Sequence, residues 1–307
     1  MKRISLDKLP HGTVGTALTL GNFDGVHRGH QAMLQRLVKE SAERGLVPVV
    51  LTFEPYPREF FAPLQAPPRL TNLCQKYGWI TRAGIDQVRV LRFNRALASL
   101  PAEDFIRRVI VESVVARWVL VGDDFRFGAR RTGDVSLLQD MGQTLGFECA
   151  ALDSVCEMGE RISSSAIRTS LAAGELTRAA TLLGRHFSVV GRVAYGRQLG
   201  RQLGFPTLNL PLRHIPPLAG IFVVEVCGLA PHPLPGVASL GVRPTVDTGN
   251  SVILEVHLFD FSRDIYGARV EVRFLHKLRD EARFDHLDDL VIQMKQDAAQ
   301  ARAWFVR

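Results

Sequence analysis

Residues 1–184 alternate two kinds of pattern, and this alternation constrains the fold more than any other feature of the chain. Short apolar runs at Ala17–Gly21, Val47–Phe53, Gln87–Leu91, Arg117–Gly122 and Phe147–Leu152 read as strands. Segments of helical period stand between them. Gly29–Arg44 carries Met33, Leu34, Leu37, Val38 and Ala42 on one face and is stopped by Gly45. Asn72–Ala83 reads as a second helix, and Pro101–Ser113 as a third with proline in its first turn. Strands that alternate with helices pair in parallel through crossover connections, which predicts a doubly wound α/β sheet.

The pattern changes after Phe187. Val189–Tyr195, Phe222–Cys227, Val252–Phe259 and Ala268–His276 read as strands, with glycine and proline between them and mostly no helix. That is the signature of an antiparallel barrel or sandwich. In Val252–Phe259, the aliphatic residues Val252, Leu254, Val256 and Leu258 fall on one face, which puts Glu255 and His257 together on the other. The chain ends in an amphipathic helix marked by Leu287, Leu290, Val291, Met294, Ala298 and Ala301. A length of 307 residues suits two domains, expected at 1–184 and 185–307, although no linker marks the join.

Composition excludes several classes. Hydrophobic residues make up 46% and charged residues 22%, values of an ordinary globular chain. No apolar run approaches the ~18 residues of a membrane helix, and the N-terminus has no secretory core, so a soluble cytoplasmic protein with no membrane partner is expected. The formal charge of +7 is spread evenly, with 23 Lys/Arg against 19 Asp/Glu in residues 1–184 and 15 against 12 in residues 185–307. A nucleic-acid surface concentrates its charge, so no nucleic-acid partner is expected, whereas small anions suit a diffuse positive field. Cys74, Cys149, Cys156 and Cys227 form no C-x-x-C pair and read as small buried hydrophobes. Homo-oligomerisation is left open.

Chemistry concentrates in a few segments. Neither a Walker A loop nor G-x-G-x-x-G occurs. Instead the first strand runs into Gly21-Asn22-Phe23-Asp24-Gly25-Val26-His27-Arg28-Gly29-His30. Its glycines allow tight turns, the helix start offers N–H groups to phosphate, and His27 and His30 are spaced to reach one bound group. In the second half, Gly196, Gly200 and Gly204 precede Phe205-Pro206-Thr207-Leu208-Asn209. A glycine loop can turn its N–H groups onto phosphates. Thr207 and Asn209 are hard oxygen donors suited to Mg²⁺. A turn and an edge strand would also account for this stretch, since Pro206 cannot donate to a ladder.

Taken together, these segments resemble bacterial bifunctional riboflavin kinase/FAD synthetases. GNFDGVHRGH resembles the H-x-G-H nucleotidyltransferase motif of that family. Val121–Gly128 resembles its flavin-side loop, and Arg161–Arg168 resembles its phosphate-closing Ile-Ser-Ser-Thr-x-x-Arg segment, with Ser165 in place of threonine. Leu203–Asn209 resembles the riboflavin kinase signature, followed by Gly241–Thr245 and Glu255–Phe261.

The resemblance implies an N-terminal Rossmann-like nucleotidyltransferase domain and a C-terminal antiparallel β-barrel riboflavin kinase domain with a C-terminal helix. It implies ATP-dependent phosphorylation of riboflavin to FMN, then adenylylation of FMN to FAD, with Mg²⁺ accompanying ATP and with FMN and FAD as products. Its implied residues are His27, His30 and Glu255 for catalysis. Gly21, Asn22, Phe23, Asp24, Gly25, Ser164, Arg168, Gly200 and Gly204 would bind ATP, and Asp124, Arg126, Phe127 and Arg243 the flavin. Thr207 and Asn209 would bind the metal. Class I aminoacyl-tRNA synthetases share an H-x-G-H element, but the later loop here is RISSSAIR rather than Lys-rich. A flavin sensor would need neither a base nor a metal site.

Overall fold

The computed structural model describes residues 15–157, 159–196, 200, 203–243 and 251–306, without the side chains of Val242, Arg243 and Ser251. The chain divides into two compact units, one of Met1–Pro67 with Leu73–Ser163, the other of Pro68–Asn72 with Ser164–Arg307.

In the first unit the elements run β1 (Thr16–Leu20), α1 (Arg28–Glu43), β2 (Val47–Glu54), α2 (Pro57–Phe61), α3 (Leu73–Arg82), β3 (Gln87–Arg92), α4 (Arg95–Ala98), α5 (Ala102–Phe105), β4 (Ala116–Gly122), α6 (Val135–Leu145), β5 (Glu148–Leu152) and a short ribbon of β6 (Cys156–Glu157) and β7 (Glu160–Arg161). The five-stranded sheet has order β3-β2-β1-β4-β5, and all its pairs are parallel. The expected doubly wound sheet is therefore present. Successive residues serve opposite layers: Leu18, Val49 and Leu51 pack with Phe105, Ile106 and Ile110, while Ala17 and Val50 pack with Leu34, Leu37 and Ile80. A strand buried on both faces reads as a continuous apolar run, which is why the sequence signal was strong. The third expected helix differs from the expectation: it is α-helical only to Phe105 and continues as a π-helix over Ile106–Ser113. The wider turn keeps Ile106, Val109, Ile110 and Ser113 buried.

Strand order reverses between β1 and β4, because β2 and β3 lie on one side and β5 on the other. Ligands of open α/β sheets bind at such a switch point, off the carboxyl ends of the strands. Both loops singled out in this half, Gly21–His27 and Asp123–Gly128, leave those two strands.

The second unit contains α7 (Ser164–Ala172), α8 (Leu176–Leu183), β8 (Ser188–Arg192), β9 (Thr207–Leu212), β10 (Gly220–Cys227), β11 (Leu234–Arg243), β12 (Ser251–Leu258), β13 (Arg269–Arg279) and α9 (Leu287–Phe305). The strands form an antiparallel six-stranded sheet of order β8-β13-β10-β11-β12-β9. An isolated bridge between Ala194, just past the end of β8, and Asn209 of β9 brings the two edges together, giving a near-closed barrel. The sequence reading lacked β9 and β11. Pro211 interrupts β9, and Pro235, Gly236 and Gly241 interrupt β11. Proline is tolerated in β9 because β9 is an edge strand. Val252, Leu254, Val256 and Leu258 are buried, as the alternation predicts. The terminal helix is clamped by Arg279, which donates to both carboxylate oxygens of buried Asp297 at 2.9 and 2.6 Å.

Candidate active sites

In the first unit the loop after β1 is held under backbone strain. Phe23 has φ 48° and Val26 has φ 40°, and a β-branched residue rarely adopts positive φ. The loop delivers His27 to the N-cap of α1, where its Nδ1 accepts from the His30 amide at 3.3 Å. A neutral imidazole accepting at Nδ1 carries its hydrogen on Nε2, so His27 is oriented as an Nε2 donor. The His30 ring stacks on it at 3.6 Å and 18°. The two imidazoles therefore sit together at the start of a 16-residue helix, where amide groups and the helix dipole favour anions.

The remaining loop residues split by direction. Asn22 is exposed. Phe23 is buried at 1% exposure in the layer beneath α1. Asp24 is 3% exposed and accepts from the Tyr56 hydroxyl at 3.1 Å, so this carboxylate faces the protein interior. Beneath the loop, Lys76 Nζ donates to Thr52 Oγ1 at 3.2 Å, and Thr52 Oγ1 donates to the Asn22 carbonyl at 3.3 Å. Lys76 also lies 4.3 Å from the centre of the Tyr56 ring. Sequence reading missed Thr52, Tyr56 and Lys76.

After β4, Asp124 accepts from Arg161 Nη2 at 2.6 Å, and this hydrogen bond raises the Arg161 guanidinium above its ordinary pKa. Arg126 donates to Asp134 at 2.9 Å. Phe127 is buried against Phe105 and stacks on the less buried Phe125. The carboxyl ends of β2 and β3 carry an aromatic group that the sequence reading also missed. Phe60 and Phe61 in α2 pack edge-on against Phe93 at 5.5 and 5.7 Å, with Phe61 66% exposed. Adjacent phenylalanines beside a predicted strand end were the available signal.

Ser164 and Arg168 stand on α7, which belongs to the second unit. Arg168 Nε donates to the Pro68 carbonyl at 2.7 Å.

In the barrel, antiparallel register brings the separated motifs together. Glu255 lies directly opposite Asn209, and His257 opposite Thr207. His257 Nδ1 is 3.0 Å from the Pro206 carbonyl, and its ring meets Phe205 edge-on at 5.2 Å. The glycines line the same place. A Cβ on Gly196 would stand 2.5 Å from Asn209 Nδ2, and one on Gly200 would collide with the Phe205 carbonyl and lie 3.5 Å from Thr207 Oγ1. The Gly200 carbonyl accepts from the amides of Leu203 and Phe205, closing a turn above Thr207. Gly204 has φ 83° and needs the freedom of glycine. The Arg243 side chain, Pro244 and Thr245 lie outside the described residues; only the Arg243 backbone, the last residue of β11, is described.

The four cysteines are all unpaired. The reading of them as buried hydrophobes holds in part: Cys149 and Cys227 are partly buried, with the Cys149 thiol pushed up to about 11 by burial, but Cys74 and Cys156 are exposed because they fall on solvent-facing positions. Among the described residues, no group of three His, Cys, Asp or Glu side chains could hold a metal, and no helix is long and apolar enough to cross a membrane.

Comparison with known proteins accounts for both units. Residues 10–166 match the family model for FAD synthetase, and residues 183–305 match that for riboflavin kinase. A bifunctional riboflavin kinase/FMN adenylyltransferase of Escherichia coli strain K12 is 48% identical over 95% of this chain and 93% of its own length. Its counterpart in Pseudomonas fluorescens is 46% identical over 94% of this chain and 93% of its own. A solved structure described as a macrolide-efflux protein from Streptococcus pneumoniae superposes with TM-score 0.80 at 31% identity, covering 95% of this chain and 96% of that one. On these matches the chain belongs to the family of bifunctional riboflavin kinase/FMN adenylyltransferases.

Proposed function

We propose that this chain works in the cytoplasm, phosphorylating riboflavin to FMN in its barrel and adenylylating FMN to FAD on its parallel sheet, with ATP as donor in both reactions. The family assignment supports this reading, and one observation carries it into residues: two stacked imidazoles at the N-terminus of α1, on the switch point of the sheet.

In adenylyl transfer the FMN phosphate attacks the α-phosphorus of ATP and pyrophosphate leaves. The nucleophile is already an anion, so no base has to create it. The demand is to neutralise charge on the α- and β-phosphates during displacement, a task of positioning and electrostatics. His27, oriented as an Nε2 donor, and His30 stacked on it meet that demand at the positive end of the α1 dipole. The backbone of Gly21–Gly25 cradles the triphosphate. Asp24 supports that backbone from within rather than touching ATP, because it is buried on Tyr56. The Phe60–Phe61–Phe93 group, with Phe60 and Phe61 exposed, offers faces and edges for an isoalloxazine ring. The Asp124–Arg161 pair braces the loop after β4, where Asp124 and Arg126 stand exposed at the flavin side and Phe127 supports them from the core.

In the kinase reaction a primary alcohol must lose its proton while it attacks the γ-phosphorus. Glu255 is the group for that proton, or for orienting the hydroxyl if proton loss comes late. The oxygens of Thr207 and Asn209 suit Mg²⁺, and the glycines at 196 and 200 let the backbone close against Asn209 and the Phe205 carbonyl beside them. Bound there, the ion would neutralise β- and γ-phosphate charge. The Gly200 and Gly204 backbone would cover the phosphates.

The test is direct. Purified protein with riboflavin, ATP and Mg²⁺ is sampled over time and its flavins are separated. FMN should form with ADP, followed by FAD with pyrophosphate. Riboflavin that stays unchanged overturns the reading.

A further inference from the structure

We propose that Lys76 is a positioning residue for adenylyl transfer, a buried strut that holds the strained nucleotide loop in its ATP-binding form. The proposal rests on the adenylyl-transfer reading above and adds a residue to it.

Lys76 is 1% exposed, on a helix that supplies none of the motifs. A lysine is almost never buried this deeply unless other groups answer its charge. Among its contacts, one chain through Thr52 and one through Tyr56 lead to the loop after β1. One goes through the Thr52 hydroxyl, which accepts from Lys76 at 3.2 Å and donates to the Asn22 carbonyl at 3.3 Å. The other goes through Tyr56, whose ring faces the ammonium at 4.3 Å and whose hydroxyl donates to Asp24 at 3.1 Å. Thr52 is 0%, Tyr56 6% and Asp24 3% exposed, so water does not screen either chain.

The anchor points are informative. Asn22 and Asp24 flank Phe23, which sits at φ 48°, and Val26 at φ 40° follows. Such a residue is strained and persists only when its surroundings over-determine it. The backbone between the anchors is the part proposed to cradle phosphate, while His27 and His30 follow on α1. A cation hidden from ATP cannot bind it directly. It can fix the carbonyl and carboxylate that set the loop's path. Removing it should let the strained segment relax and weaken ATP binding on the parallel sheet, with the FMN side and the barrel unaffected.

The test compares Lys76→Met, Lys76→Arg and Thr52→Val in the full chain, with adenylylation and kinase rates measured separately. Lys76→Met should raise KM for ATP in FAD formation by about 10-fold or more, the scale of a lost charge-assisted hydrogen bond, and leave KM for FMN within about 2-fold. Lys76→Arg should recover much of the loss, and Thr52→Val should move ATP KM the same way by a smaller factor. ATP binding to the variants, followed by titration, should weaken in parallel. An unchanged KM for FMN in adenylylation reports that the parallel-sheet unit is folded, and kinase activity reports the same of the barrel. If Lys76→Met fails to fold, Thr52→Val decides: unchanged ATP KM overturns the proposal. A loss of thermal stability with unchanged ATP KM, or an equal rise in the KM of FMN and ATP, also overturns it. A wild-type chain that makes no FAD defeats the adenylyl-transfer reading instead, and the two failures are distinguishable.

Discussion

The parallel sheet and the barrel handle the same triphosphate with different parts. On the sheet, the groups proposed to face phosphate leave the ends of strands: a helix N-terminus, strained backbone and two imidazoles. In the barrel they lie on neighbouring strands, where register sets Glu255 against Asn209 and His257 against Thr207. The use of carboxylates differs too. Asp24 is turned inward onto Tyr56, while Glu255 occupies the face of β12 opposite the buried aliphatic residues. The difference follows from the nucleophiles. A phosphate monoester arrives without a proton to lose, so a carboxylate facing it would only repel it. An alcohol has a proton to lose, so a carboxylate beside it serves a purpose.

That contrast can be broken most severely at Glu255. Glu255→Gln should lower kinase turnover by about 10²–10⁴-fold and leave adenylylation of supplied FMN unchanged. Loss of both activities would mean that the units do not act separately. His30→Ala should do the reverse, lowering FAD formation from FMN by about 10²-fold or more while the kinase continues. An enzyme that keeps its adenylylation rate would remove the imidazole from the mechanism and leave the amides of α1 as the main phosphate ligands.

The two units also differ in how much of them could be read in advance. The parallel sheet was legible because strands such as Val49–Leu51 bury both faces, so their composition alone announces them. The barrel was half legible: β12 alternates cleanly, but β9 and β11 carry proline and glycine that an edge position and close strand approach make tolerable. His27 and His30 were readable because one helical turn holds both. Glu255 and Asn209 were readable only as separate motifs, since nothing local encodes their cross-strand pairing. Lys76 was not readable at all. In Leu73–Arg82 it has the pattern of a solvated helical residue, and what buries it comes from β2 and the segment just after it, through Thr52 and Tyr56. The π-helix escaped for a similar reason, because the same apolar spacing serves an α-helix until the sheet dictates otherwise.

The smallest expected effect sharpens the comparison at the flavin rather than the phosphate. Both reactions must hold an isoalloxazine, but among the described residues the Phe60–Phe61–Phe93 group, with Phe60 and Phe61 exposed, belongs to the parallel sheet alone. Phe61 is two-thirds exposed, so burying it against a flavin ring would gain apolar contact that the free protein lacks. An aromatic contact of this kind contributes about 0.5–1.5 kcal/mol, so Phe61→Ala should raise KM for FMN in adenylylation by about 2- to 10-fold. Turnover at saturating FMN should stay near wild type, because the ring makes no contact with the transferring phosphorus. KM for riboflavin in the kinase reaction should not move. If both KM values rise together, the aromatic group is serving the fold, and the flavin must find its stacking surface elsewhere on the sheet.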